Sequence, residues 1–210
     1  MSRAARLSRA IALGLAAAAA VAFALALAGR EGLLAPDQPA RVGTAGTADI
    51  GGPFTLVDGS GRTLTEADFR GRYMLIYFGF TFCPDVCPTT LQVMTQALDK
   101  LGEEAKDVTP VFITVDPARD SPEVVGAYIA HFHERMVGLT GSEDQVAAAA
   151  KAYKVYYARA EETTAGGSDE YLVDHSSIVF LIGPDGRYLA HFTHRATADE
   201  MAAGIKTHID

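Results

Sequence analysis

Residues 73–88 read YMLIYFGFTFCPDVCP, an unbroken apolar run followed at once by two cysteines. The run over 73–80 has the length of a strand and no polar alternation, which is typical of a strand buried on both faces. Beyond the cysteines, leucine and methionine recur at helical spacing until Gly102 ends the segment. A second apolar run, VTPVFITV, occupies 108–115. The pattern therefore predicts a strand, a helix and a parallel strand joined by a right-handed crossover.

Further elements are predicted on both sides of this unit. Turn signals at Asp58-Gly59-Ser60-Gly61 and Gly183-Pro184-Asp185-Gly186 predict two hairpins, and Ser121-Pro122 predicts a helix start. The predicted elements are a hairpin over 54–65, a helix from 121 through Phe132, a strand near 136–139, a helix over 142–153, strands over 176–182 and 187–193, and a helix over 198–209. This order predicts an α/β protein with a thioredoxin-like fold and an N-terminal hairpin. A Rossmann-like sheet is the alternative, but no G-x-G-x-x-G or Walker sequence follows a predicted strand.

Composition and charge limit the classes of function. The chain has 210 residues, 49% hydrophobic and 21% charged, which suits one domain with a sizeable core. Its net charge is -8 although its N-terminus is basic, so the remainder is acidic, which argues against nucleic acid as a partner. The only cysteines are Cys83 and Cys87. A disulfide between distant segments is therefore excluded, whereas a local redox pair or a metal site is not.

The N-terminus carries a membrane-targeting segment. Residues 10–28 are apolar, and three arginines precede them: Arg3, Arg6 and Arg9. Their length approaches the about 20 residues with which a helix spans a bilayer, so we predict a single transmembrane helix over 10–28. The small-x-small pattern Ala26-Leu27-Ala28 suits a signal peptidase, so a cleaved signal is the alternative.

The same segment predicts the topology and the domain organisation. Under the positive-inside rule, residues 1–9 stay in the cytoplasm and the chain from Arg30 onward crosses the membrane. In a bacterium, we therefore expect a single-pass inner-membrane protein whose domain faces the periplasm. Residues 29–50 lack periodicity and contain scattered Pro, Gly, Thr and Ala, which predicts a flexible tether. Residues 51–210 are the predicted folded domain.

The cysteine motif lies where a buried strand is followed by a helix. Free backbone N–H groups and the helix dipole favour a thiolate at such a position. Three residues separate Cys83 from Cys87, which predicts both sulfurs on one helical face, with Cα atoms ~6 Å apart. This separation permits a disulfide as well as metal capture. Two thiolates suit a soft ion such as Cu(I), and an added imidazole also serves Cu(II) or Zn(II).

A third ligand is expected among the histidines. His175 stands out because it lies just before the strand predicted over 176–182, at the end of a polar loop over 158–170. The other histidines are more typical of surface or packing positions: His131, His133, His191, His194 and His208. The methionines are scattered singly, which predicts core residues and not a methionine-rich copper motif.

Five segments in order carry a resemblance to a known family: YFGFTFCPDVCP, ITVDPARDSP, VGLTG, YKVYY and VDHSSIVFLIGPDG. Together they resemble the Sco/SenC family of copper proteins from about Gly51 to the C-terminus. The resemblance implies a thioredoxin fold that binds one copper, as Cu(I) or Cu(II), through Cys83, Cys87 and His175. It also implies assembly of the dinuclear copper centre, CuA, of cytochrome c oxidase subunit II, by metal transfer or by reduction of that subunit's cysteines. Other copper chaperones are implied as further partners.

Several neighbouring residues have open roles at this point. Asp174 either orients His175 or is a plain strand-end carboxylate. Asp85 is expected to be a turn or capping residue and not a ligand. For Arg119 and Asp120, a local ion pair and a contact with the partner are both open.

Two functions compete. The leading hypothesis is a copper chaperone, which is not an enzyme, and the alternative is a thiol-disulfide oxidoreductase that uses Cys83 and Cys87 as its redox pair. A peroxidase or a redox sensor is a weaker third. His175 discriminates between the first two, because a copper site needs it and a dithiol reductase does not.

Overall fold

The computed structural model describes residues 43–44, 49–160 and 171–209. The predicted cytoplasmic N-terminus, the predicted membrane helix over 10–28 and most of the predicted tether lie outside these ranges. Among the described residues, no helix combines the length and the apolar character needed to cross a membrane.

Ten strands and four α-helices make up the described part of the chain. The strands are β1 Gly43–Thr44, β2 Thr55–Asp58, β3 Thr63–Thr65, β4 Tyr73–Gly79, β5 Val108–Thr114, β6 Val137–Thr140, β7 Tyr157–Arg159, β8 Val173–His175, β9 Ile178–Ile182 and β10 Tyr188–Thr193. The α-helices are α1 Val86–Leu101, α2 Pro122–Ile129, α3 Glu143–Ala152 and α4 Ala198–Ile209. Two 3-10 helices cover Glu66–Phe69 and Gly102–Asp107.

Eight of the strands form one mixed sheet in the order β1-β10-β9-β4-β5-β6-β2-β3. The central β4 pairs with β5 in parallel and with β9 in antiparallel orientation. The parallel crossover from β4 through α1 to β5 is thus the predicted unit. The antiparallel pair β9 and β10 follows later in the chain. The predicted α/β thioredoxin-like arrangement is confirmed, and the hairpin β2–β3 joins the sheet through β6.

The core is centred on β4 and β5. Every residue of β5 is buried, and every residue of β4 except Tyr73. Because successive side chains of a strand point to opposite faces, this continuous burial means that both faces of the sheet are covered. Helix α1 packs against α4, and its buried face includes Cys87. The methionines that the structure describes are core residues, as predicted: Met74, Met94, Met136 and Met201.

Three elements differ from the sequence prediction. Helix α2 ends at Ile129 and not at Phe132, because the N–H groups of His131 and Phe132 bond to carbonyls three residues back, which tightens the chain into turns. Strands β7 and β8 form a separate two-stranded sheet that was not predicted. Strand β1 lies inside the predicted tether and pairs with β10. Short strands like these depend on backbone pairing and leave little periodicity in a sequence.

Candidate metal centre

The two cysteines lie at the carboxyl end of β4, on either side of the start of α1. Helix α1 begins at Val86, so only Cys87 belongs to it. The prediction that both sulfurs share one helical face is therefore wrong. Pro84 explains the difference, because a proline disfavours the helical conformation in the residue before it, here Cys83. Asp85 is the N-cap residue, yet its side chain makes no capping hydrogen bond to the backbone.

The two sulfurs and one imidazole nitrogen converge on a single point. The ligand atoms of Cys83, Cys87 and His175 all lie within 4.8 Å of one another. The Cys87 Sγ is 3.3 Å from His175 Nε2, and the Cys87 N–H donates to Cys83 Sγ at 3.4 Å. This is the only group of at least three His, Cys, Asp or Glu ligands that the described residues bring together. Its donors fit a soft or borderline metal ion.

Strand pairing and aromatic edges hold His175 in place. Its strand β8 pairs with β7, and the rings of Phe80 and Tyr77 lie edge-on to the imidazole at centroid distances of 5.8 and 6.0 Å. The imidazole Nδ1 lies 3.3 Å from the Ser176 carbonyl oxygen, which leaves Nε2 toward the sulfurs. Asp174 is exposed. The group that contacts the His175 Nδ1 is therefore the Ser176 carbonyl, and not the Asp174 carboxylate that the sequence offered for this role.

A family model described as SCO1/SenC matches residues 42–210 of the chain. The chain belongs to the SCO1/SenC family. It is 43% identical over 162 residues to the human protein "Protein SCO1 homolog, mitochondrial". The aligned region covers 76% of this chain and 53% of that protein. It thus spans about half the length of this mitochondrial relative. The SCO2-like protein of Rickettsia felis is 43% identical over 159 residues, covering 75% of this chain and 76% of the relative.

Solved structures of the family give the same result for the fold. The crystal structure of Arabidopsis thaliana ScoI with copper bound matches with a TM-score of 0.70 and 40% sequence identity. The match covers 75% of this chain and 96% of that one. The SCO1/SenC match begins at residue 42, one residue before β1, so the matched region includes the end of the segment predicted as tether.

The two cysteines of this SCO1/SenC chain are electrostatically unequal. A hydrogen bond with the Cys87 thiol, helped by His175 and by backbone N–H groups, lowers the pKa of Cys83 to about 3. The same hydrogen bond and burial raise the pKa of Cys87. Burial also raises the pKa of Tyr77, which donates as a neutral phenol to Cys87 Sγ at 3.6 Å. The pair therefore holds one proton, with Cys83 as the thiolate.

Gly79 leaves the space in which the Cys87 sulfur sits. A Cβ at this position would lie 2.9 Å from Cys87 Sγ, 3.0 Å from the Tyr77 ring and 3.1 Å from the Phe112 ring. All three neighbours are fully buried and have little room to move. The glycine of the YFGF segment is thus required by close approach to a ligand, which its place in an apolar strand did not reveal.

The loop after β5 contacts the cysteine turn from outside. Arg119 pairs with Asp116 at 2.5 Å, and its guanidinium lies 3.6 Å from the Tyr171 ring centroid and 4.8 Å from that of Phe82. The Tyr171 hydroxyl donates to Asp116 at 2.6 Å. Asp120 instead accepts hydrogen bonds from the N–H and the hydroxyl of Thr81 in the cysteine turn. Sequence reasoning missed Tyr171, because it lies between two segments of the resemblance and belongs to neither.

The other histidines lie outside the group formed by Cys83, Cys87 and His175 among the described residues. His133 Nδ1 accepts a hydrogen bond from the Arg135 N–H at 3.1 Å, and His191 Nδ1 lies 2.5 Å from the Tyr188 hydroxyl. The remaining three also lie outside the convergent set: His131, His194 and His208. Of the six histidines, His175, which position in the chain favoured, is the one that the described residues bring to the two sulfurs.

Proposed function

We propose that this protein carries one copper ion, as Cu(I) or Cu(II), on Cys83, Cys87 and His175 and delivers it to an acceptor protein. The observation that carries the proposal is the convergence of two sulfurs and an imidazole within 4.8 Å. Two sulfurs, one already a thiolate, suit Cu(I), and the imidazole extends the site to Cu(II). Copper is here the cargo of the protein. The half-exposed Cys83 and His175 leave the ion accessible for ligand exchange with an acceptor, whereas Cys87 is buried.

The proposed acceptor is the CuA centre of cytochrome c oxidase subunit II. Membership of the SCO1/SenC family and the copper-bound structure of its Arabidopsis relative support copper delivery as the general role. The apolar run over 10–28 and its preceding arginines support an inner-membrane anchor with the domain in the periplasm. There the domain would meet the acceptor and other copper chaperones on the same side of the membrane.

Copper titration of the domain from residue 42 onward tests the site directly. We expect one equivalent of Cu(I) to bind tightly, because the described residues form one such ligand cluster. One equivalent of Cu(II) should give a sulfur-to-copper charge-transfer band and a single electron paramagnetic resonance signal. A stoichiometry of two, or a Cu(II) signal without sulfur coupling, would contradict the proposal.

A reporter fused after Asp210 tests the proposed compartment. Three arginines before an apolar run keep the N-terminus in the cytoplasm, so the fused alkaline phosphatase should be active and a fused β-galactosidase inactive. A fusion that lacks residues 1–28 is the matched control, and it should give the reverse pattern. Phosphatase activity that persists when the apolar run over 10–28 and its preceding arginines are removed would refute the inner-membrane assignment.

One observation favours a second function, reduction of the acceptor's cysteines. Cys83 is half-exposed and its pKa is lowered to about 3, so its sulfur is a thiolate at neutral pH, with a buried thiol beside it. Such a pair is arranged for disulfide exchange, in which the exposed thiolate attacks and the second cysteine resolves the mixed disulfide. Reduction and copper delivery would use the same two sulfurs, so His175 is the residue that separates them.

A further inference from the structure

Asp120 ends the loop that follows β5, and its side chain is fully buried. Its carboxylate accepts hydrogen bonds from the Thr81 N–H at 3.0 Å, the Thr81 hydroxyl at 2.6 Å and the Thr114 hydroxyl at 2.5 Å. None of these three donors carries a charge. Burying a carboxylate among neutral donors opposes folding, and burial accordingly raises the pKa of Asp120. A contribution to folding stability is therefore a weak explanation for a buried carboxylate at this position.

The backbone of Asp120 is itself held from two sides. Its N–H donates to the Asp116 carbonyl at 3.0 Å, and its carbonyl accepts a hydrogen bond from the Thr140 hydroxyl at 2.7 Å. Thr140 lies at the end of β6, and Thr114 at the end of β5. Asp120 thus presents a carboxylate that is fixed to the sheet, and Thr81 is the residue that it holds.

Thr81 belongs to the turn that carries Cys83. The turn is closed by the Cys83 N–H, which donates to the Phe80 carbonyl at 3.3 Å. Cys87 lies in helix α1 and His175 in strand β8, so the hydrogen bonds of those elements position them. Cys83 lies in neither a helix nor a strand. Its sulfur is therefore the ligand atom whose place depends most on how the turn is held.

We propose that Asp120 is a positioning residue for Cys83. By accepting hydrogen bonds from the N–H and the hydroxyl of Thr81, Asp120 keeps the Cys83 sulfur where it converges with the ligand atoms of Cys87 and His175. The inference rests on the proposed function, because copper is the ion on which the three ligand atoms must converge. A site whose groups must converge on one ion tolerates little displacement of any one ligand. Asp120 touches neither the ion nor a ligand, and it acts only through Thr81.

Three variants separate positioning from stability. Asp120→Ala removes all three acceptor contacts, so Cu(I) affinity should fall about tenfold or more, measured by competition with a chelator. Asp120→Asn should restore most of the affinity, because its amide oxygen accepts from the Thr81 N–H while its NH2 donates to the Thr81 hydroxyl. Ala97→Ser is the matched control for stability, since it places a hydroxyl at a fully buried position of α1, away from Thr81 and from the loop that carries Asp120. It should lower the urea midpoint and leave copper affinity unchanged.

A copper-independent probe keeps this inference separate from the proposed function. Phenylarsine oxide condenses with two thiols at once and releases water. Its affinity therefore reports, without copper, whether the sulfurs of Cys83 and Cys87 are close enough to bind one atom. The affinity for the arsenical should follow the same order, with Asp120→Ala weakest and Asp120→Asn and Ala97→Ser near the unaltered protein. If the unaltered protein binds the arsenical but no copper, the proposed function fails and the arsenical series alone decides the role of Asp120.

Two outcomes would overturn the role of Asp120. One is an Asp120→Ala protein that binds both probes as the unaltered protein does. The other is an Ala97→Ser protein that loses both probes as strongly as Asp120→Ala, which would make the effect one of stability. Should Asp120→Ala fail to fold, Thr81→Val removes only the hydroxyl contact, and unchanged affinity for the arsenical in that variant then refutes the inference.

Discussion

Replacing either cysteine with serine is expected to abolish tight copper binding. Changes to groups that merely orient a ligand cost roughly 10- to 100-fold in metal affinity, so loss of a thiolate ligand should cost more than about 100-fold. The site offers three donors, and a hydroxyl is a poor replacement for a soft sulfur. Chelator competition for Cu(I) and metal analysis after dialysis measure the loss. A variant that keeps one tight copper would remove its cysteine from the site.

The two cysteine variants should differ in stability, although the sequence predicted both thiols at a helix start outside the core. Cys87 is in fact fully buried, with its sulfur in contact with Tyr77 and His175, whereas Cys83 is half-exposed. Cys83→Ser should therefore leave the urea midpoint nearly unchanged. Cys87→Ser buries a hydroxyl in a space shaped for sulfur and should lower the free energy of unfolding by about 1–2 kcal/mol.

Ala97→Ser is a matched control for Cys87→Ser. Ala97 is fully buried on the same helix, away from the ligand group. Its serine variant should lose comparable stability and bind copper like the unaltered protein. If Ala97→Ser also loses copper, the effect of Cys87→Ser on binding cannot be assigned to the loss of a ligand.

Replacing His175 with alanine should separate copper delivery from thiol reduction. The variant loses the imidazole that adapts a two-sulfur site to Cu(II), so Cu(II) affinity should fall by more than about 100-fold. Cu(I) should bind more weakly yet detectably, because both sulfurs remain. Disulfide exchange should continue at a moderately altered rate, since His175 contributes to the lowered pKa of Cys83. Titration with each ion and reduction of a test disulfide measure these effects.

Cells carrying His175→Ala then decide between the two functions. If delivery is the main role, the variant should fail to support cytochrome c oxidase activity while its purified domain still reduces the test disulfide. His194→Ala is the matched control, because His194 is an exposed histidine outside the ligand group. Normal oxidase assembly in cells with His175→Ala would overturn copper delivery and favour the reductase, without affecting the fold.

Much of the fold could be read from local patterns. The apolar runs over 73–80 and 108–115 predict strands because a strand covered on both faces must be apolar throughout. Ser142, which caps α3 through its hydroxyl, and Pro122 in the first turn of α2 mark helix starts by their chemistry alone. The end of α2 and the short pair β7–β8 were not predictable in this way, because they depend on backbone hydrogen bonds that any side chain permits.

The sequence by itself determined the types of the candidate ligands, the spacing of the two cysteines and the thioredoxin-like order of elements, since each of these can be recognised from residues close together in the chain. Only the tertiary structure decided how the ligands meet. It buried Cys87 against Gly79 and brought His175 to within 3.3 Å of a sulfur 88 positions away. It also joined Asp120 to Thr81 of the cysteine turn. Such contacts join segments far apart in the chain, and their distances arise only when the sheet and helices pack.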